Sequence, residues 1–305
     1  MVYERTVSQE LSIAGIGLHS GKKVTLTLAP AGVGHGIVFE RVDIGGVGIP
    51  MSADLVQDTM MSSNLVQGDA RVGTVEHLLS AIAACGLDNL IVKVDAPEIP
   101  IMDGSAAPFL DLIYKAGIQE QNAPKKFLKI LKPVRVTDGD KWAELTPYDD
   151  GFLMDFEIDF DHDAIKATDQ KASLDFNTAN FVHEISCART FGFLKDLECL
   201  RERNLALGGS LDNAVVLDET SILNEGGLRY PNEFVRHKIL DAVGDLFIIG
   251  CPILAHFSAY KSGHALNNML IRAVLADKST HKIVTFCNRN EAPIDYLKPN
   301  ILFEN

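Results

Sequence analysis

Apolar residues recur at helical spacing in four stretches of the chain. "TVEHLLSAIAACG" (74–86) has a threonine start and a glycine stop, which predicts a short helix. "AAPFLDLIYKAGI" (106–118) predicts a second. "EFVRHKILDAVGDLFIIG" (233–250) predicts a long third helix ended by Gly250-Cys251-Pro252, and "HALNNMLIRAVLAD" (264–277) a fourth. Between them, "KKVTLTLAP" (22–30) and "DNLIVKVDAPEIPI" (88–101) alternate or run apolar like strands. "PVRVTDGDKWAELTPY" (133–148) reads as a hairpin turning at Asp138-Gly139, with further strands at 151–160 and 253–263. "QEQNAPKK" (119–126) is polar and carries a proline, the signature of a linker. The pattern before it restarts after it. The expectation is an α+β chain of two similar domains, 1–122 and 127–305, each strands plus about two helices. No short-period repeat or low-complexity segment is visible.

The long helix has an unusual row. Ile239, Leu240, Val243, Leu246 and Phe247 are its apolar positions, yet His237, Asp241 and Asp245 also recur every four residues. Positions i and i+4 lie one turn apart on one face, so His237 and Asp241 can reach one ion. Such nitrogen and oxygen ligands suit zinc, whose catalytic sites keep three protein ligands. Asp245 can orient a partner histidine. The plain alternative is a core histidine with two solvated aspartates. Glu76 and His77 stand side by side in the otherwise apolar first helix, with no basic residue nearby to pair with the glutamate. They divide naturally into a general base and a metal ligand, or they form an exposed edge. The order is not HExxH, so the other ligands must come from elsewhere. His264 follows a glycine at a strand–helix junction and is either a cationic acid or oxyanion donor, or a helix cap. "AGIGLHSGKK" (14–23) lacks the glycine and hydroxyl positions of a P-loop and precedes a strand. It reads as a tight turn that presents His19.

Composition narrows the classes. At 305 residues there is room for two cores. The net charge of −13, from 28 basic against 41 acidic residues, disfavours nucleic acid and anionic membranes as partners. The five cysteines are scattered and form no CxxC pair, which fits a reducing cytoplasm. "MVYERTVSQELS" is too polar for a secretory signal. The run "LFIIGCPILAHF" is interrupted by Pro252 and too short to span a bilayer.

Seven stretches together, "GIGLHSGKKV", "GTVEHLLSAI", "DNLIVKVDAPEIPIMDGSAAPF", "SCARTFGF", "LGGSLDNAVV", "FVRHKILDAVGDL" and "AYKSGHALNN", resemble the UDP-3-O-acyl-N-acetylglucosamine deacetylases, zinc enzymes of lipid A biosynthesis in Gram-negative bacteria. They span almost the whole chain in the family's order. The resemblance implies two sheet-and-helix layers with the helices packed together between the two sheets. A polar row on a buried helix then lines an internal cleft. It also implies zinc ligands at His77, His237 and Asp241, a general base at Glu76, a cationic histidine at His264 partnered by Asp245, and an oxyanion-stabilising Thr190. Lys238 and Phe191 match residues beside the reacting sugar, and Met61 and Ser62 match residues lining the site. Asp159 and Phe160 match the pair that holds uracil, and Lys141 and Lys261 match lysines facing the diphosphate. An acyl passage matches the insert near 193–217, at Leu197, Ala206, Gly209, Ser210, Ala214 and Val216.

The implied reaction is zinc-dependent hydrolysis of the N-acetyl group of an acylated UDP-sugar, in a cytoplasmic monomer that meets membrane at most peripherally through the acyl chain. Two other readings remain at this stage: a zinc amidase for a different nucleotide sugar or peptide-like amide, and a non-catalytic nucleotide-sugar-binding module with structural histidines.

Overall fold

In the computed structural model, residues 1–296 are described. The strands are β1 (Tyr3–Val7), β2 (Leu11–Ile16), β3 (Lys23–Pro30), β4 (Ile37–Arg41), β5 (Val47–Pro50), β6 (Val56–Asp58), β7 (Asn64–Gln67), β8 (Ala70–Val72), β9 (Leu90–Val94), β10 (Ile118–Pro124), β11 (Phe127–Ile130), β12 (Val134–Asp138), β13 (Lys141–Thr146), β14 (Phe152–Glu157), β15 (Lys171–Asp175), β16 (Phe191–Phe193), β17 (Val215–Leu217), β18 (Ile253–Tyr260) and β19 (His281–Val284). The helices are α1 (Glu76–Ala84), α2 (Ala107–Ala116), α3 (Asp163–Lys166), α4 (Thr178–Asn180), α5 (Leu197–Glu202), α6 (Glu233–Phe247) and α7 (His264–Ala276).

Two sheets carry the architecture. The first has the order β2-β3-β9-β4-β5, antiparallel except for the parallel β4–β9 pair. The second is built around β18, which pairs with β11, β13 and β14. Alternating burial along β3 and β14 shows that each sheet buries one face. Helix α2 packs on β2, while α6 and α7 pack on strands of the second sheet. The two helical layers meet where α1 lies along α6. The fold is therefore α+β, with the helices sandwiched between the sheets.

Being covered on all sides explains why α1 is apolar almost all round. All nine of its residues are buried. The α1–α6 crossing is close because Gly244 stands there without a side chain. A Cβ at 244 would overlap the backbone carbonyl of Glu76. Backbone cannot swing aside as a side chain can, so Gly244→Ala must push the helices apart. We expect it to cost at least the roughly 1–3 kcal/mol of ordinary overpacking, read by denaturant unfolding. A cost under about 0.5 kcal/mol, the range of harmless surface changes, would contradict this account.

Two sequence expectations change. Residues 119–126 are not a free linker, because β10 pairs antiparallel with β1. Their polar groups are used internally. Gln121 Nε2 donates to the Ala31 carbonyl, and the fully buried Lys125 ammonium donates to Asp88 at 2.7 Å and to the Gly86 carbonyl. The apolar run 88–101 stays a strand only to Val94. The hairpin does turn at 138–141, where Asp138 pairs with Lys141 and Gly139 has φ +61°. That left-handed backbone favours glycine.

Candidate active site

Helix α6 places His237 and Asp241 one turn apart, and α1 brings His77 to them from the other layer. One potential ligand atom from each of the three lies within 4.8 Å of the others. Asp241 Oδ1 is 3.5 Å from His77 Nε2 and 3.2 Å from His237 Nε2. It is buried yet accepts no hydrogen bond, and His77 Nδ1 is likewise buried without a partner. His237 Nδ1 faces the Ala188 carbonyl at 3.0 Å, which leaves Nε2 as the lone-pair nitrogen. Burial lowers His237 to about 3, so its ring is neutral. Burial opposes ionisation of Asp241, but its neighbours, the Lys238 ammonium among them, outweigh it and the carboxyl lies well below its ordinary value. Two imidazoles around an orphaned carboxylate oxygen form a donor set that fits a divalent cation. Lys238 Nζ takes the other Asp241 oxygen at 2.8 Å.

Beside the ligands, Glu76 is 2% exposed. Its Oε2 accepts from the Ser63 amide at 3.0 Å. Burial raises its proton affinity, against the opposing charge of His264. His264 Nε2 lies 4.0 Å from Glu76 Oε1, and His264 Nδ1 lies 2.9 Å from Asp245 Oδ2. Burial alone would lower His264, but Asp245 and Glu76 raise it to about 9, so it is cationic at neutral pH. Asp245 also accepts from Ser63 Oγ at 2.6 Å and Asn267 Nδ2 at 2.9 Å.

These groups open into a cleft of about 380 Å³, also lined by Met61, Lys141, Phe160, Thr190, Phe191, Lys238 and Lys261. The Thr190 hydroxyl makes no hydrogen bond within the described residues, while its amide and carbonyl are tied to Gly104 and Val215. Phe191 packs edge-on against Phe160, with the Lys238 ammonium 5.8 Å from its ring centroid. Met61, Thr190 and Phe191 also line a second, mostly apolar passage of about 330 Å³. That passage is walled by Leu197, Ala206, Gly209, Ser210, Ala214 and Val216, the residues singled out in the insert.

Three expected positions differ. Ser62 does not line the metal-side cleft. It is buried, its oxygen accepts from Asn64 Nδ2, and it lines a neighbouring polar cleft. Asp159 is exposed outside the cleft wall and is tied to Lys261 at 3.0 Å and the Tyr260 hydroxyl at 2.9 Å. Lys261 is consequently not a free cation, since Asp140 holds it as well at 2.8 Å. Lys141 makes no ion pair among the described residues. The Gly17–Lys22 turn exists, closed by the Gly17 amide on the Lys22 carbonyl, but His19 lines the apolar passage and the polar cleft instead of the metal-side cleft. Ser63, Asn267 and the Ala188 carbonyl escaped the sequence reading. A serine pair in "TMMSSN" and a backbone oxygen carry no signal that names their partners.

Comparison with known proteins places the chain in a family. The sequence profile of the family described as UDP-3-O-acyl N-acetylglycosamine deacetylase matches residues 4–276. The chain is 60% identical to the UDP-3-O-acyl-N-acetylglucosamine deacetylase of Psychrobacter cryohalolentis over 97% of its own length and 93% of the relative's. It is 55% identical to that of Shewanella frigidimarina and 54% identical to that of Vibrio parahaemolyticus, each over 99% of both chains. Among the described residues no helix is long and apolar enough to cross a membrane. A profile match over nearly the whole chain and identity above one half leave one assignment: the chain belongs to the UDP-3-O-acyl N-acetylglycosamine deacetylase family.

Proposed function

We propose that this protein hydrolyses the N-acetyl group of UDP-3-O-acyl-N-acetylglucosamine, releasing acetate and the free glucosamine amine for lipid A biosynthesis in the cytoplasm. The observation that carries the reading is a His-His-Asp cluster, with a buried carboxylate and a cationic histidine beside it, set where a polar cleft meets an apolar passage. His77, His237 and Asp241 would hold zinc. Bound there, zinc supplies Lewis acidity, polarising the amide carbonyl and acidifying water.

The protein's own groups carry the proton traffic. Glu76, its carboxylate fixed by the Ser63 amide, takes the proton of the attacking water. The Thr190 hydroxyl donates to the oxyanion as charge develops. His264 gives its Nε2 proton to the leaving amine while Asp245 holds its Nδ1. Lys238 and Lys141 face the cleft and favour an anionic nucleotide sugar, with Phe160 as an apolar wall. The acyl chain occupies the adjoining passage. Deacetylation assays with and without chelator, on acylated and unacylated UDP-GlcNAc, test the reading. Activity that survives metal removal, or that ignores the acyl chain, would overturn it.

The pH dependence follows from the two charge states. kcat/KM should be bell-shaped, the acidic limb reporting protonation of the base and the basic limb loss of the His264 proton. Asp245 favours the imidazolium, so the histidine stays active up to about 9. Asp245→Asn removes that anion and leaves Glu76 as the main group opposing burial. The basic limb should move down toward or below the ordinary imidazole range. An unmoved limb in both Asp245→Asn and His264→Gln would assign the acid to another group.

A further inference from the structure

One residue touches both sides of this acid–base apparatus and has no role so far. Ser63, 1% exposed, lies in the segment joining β6 to β7. Its amide donates to Glu76 Oε2 at 3.0 Å, and its hydroxyl donates to Asp245 Oδ1 at 2.6 Å. Its carbonyl accepts from the Val75 amide, the residue just before α1. Ser63 is thus tied to the start of one helix and to a side chain of the other.

The hydroxyl matters for direction. A carboxylate with one fixed partner can rotate about its Cβ–Cγ bond. Asp245 is gripped at Oδ1 by Ser63 and at Oδ2 by Asn267, whose own Oδ1 is held by Ser262 Oγ at 2.6 Å. With both oxygens gripped, the carboxylate plane is set, and with it the axis along which His264 Nδ1 is held and Nε2 points back toward Glu76. Groups that orient a catalytic histidine from behind determine whether its reactive nitrogen meets the substrate.

We propose that Ser63 is a positioning residue for the deacetylation. Through its hydroxyl it fixes the Asp245 carboxylate and so the aim of His264, while its amide fixes Glu76. The proposal rests on the function given above and is tested both with and without turnover.

Ser63→Ala removes the hydroxyl alone and keeps the amide on Glu76. Losing a hydrogen bond to a charged group costs enough to lower kcat about tenfold, with KM and bound metal near the parent's. In an Asp245→Asn background the same change should cost no more than about twofold, because the two residues act on one group. Independently of turnover, the His264 Nδ1 proton in NMR spectra of the metal-loaded protein should move downfield in Ser63→Ala, as Asp245 places more of its charge on its remaining partners. An unmoved resonance, or full additivity of the two substitutions, overturns the proposal. So does a fall in metal content matching the fall in kcat, which would make Ser63 a structural residue of the metal site. An inactive parent with a shifted resonance would overturn the deacetylase reading while leaving the Ser63–Asp245–His264 linkage standing.

Discussion

Glu76→Gln is expected to lower kcat by about 10²–10⁴-fold, the usual effect of deleting a general base, while metal content stays at the parent's level. Glutamine is nearly isosteric, and its amide oxygen can still accept from the Ser63 N–H that meets Glu76 at 3.0 Å. The packing of α1 against α6 is therefore kept. What is lost is the ability to take a proton. Burial raises the proton affinity of Glu76 above that of a free carboxylate, which suits a base that must hold a proton briefly. The neighbouring His264 cation opposes that shift without reversing it. Near-parental turnover with full metal occupancy would assign the base elsewhere.

His237→Ala should reduce bound metal from near one equivalent to near zero and take activity with it. Three protein ligands are the usual complement of a catalytic zinc, and two remain in the variant. The Asp241 carboxylate would then rest on Lys238, already 2.8 Å away, and a carboxylate neutralised by an ammonium is a poorer ligand. A second loss accompanies the first. The Ala188 carbonyl gives up its only His237 contact, and an unpaired buried carbonyl costs about 1–3 kcal/mol. Metal analysis by mass spectrometry separates the two effects, since unfolding can be followed on the same sample. Undiminished metal in a folded variant would remove His237 from the ligand set.

How much of this was legible in the sequence depended on whether the information was local. Helices α1, α2, α6 and α7 declared themselves by apolar period and end signals, and each lies within a few residues of its expected span. The row of His237, Asp241 and Asp245 was visible because helical spacing maps directly onto one face. The junction of layers was not. β10 was hidden because its polar side chains pair with groups remote in sequence, such as Gln121 with Ala31 and Lys125 with Asp88. Lys261 matched a family cation, but only the fold shows Asp140 and Asp159 holding it. Ser63 was invisible for the same reason, because its hydroxyl meets Asp245 across 182 positions of chain.

The central strand of the second sheet comes late in the chain. β11, β13 and β14 all pair with β18, and β14 ends at Glu157 while β18 ends at Tyr260. At the usual elongation rates, ribosomes need roughly 5–20 s to cross that interval. Throughout it, three strands wait with unpaired edges, the kind of surface that invites association between chains. The first sheet has the same device over a shorter interval, since β3 ends at Pro30 and β4 at Arg41 while their shared partner β9 ends at Val94. The nascent protein is therefore exposed to misfolding for longer at its second layer, and crowding, chaperone supply or codon choice over residues 158–260 bears on the yield of that layer.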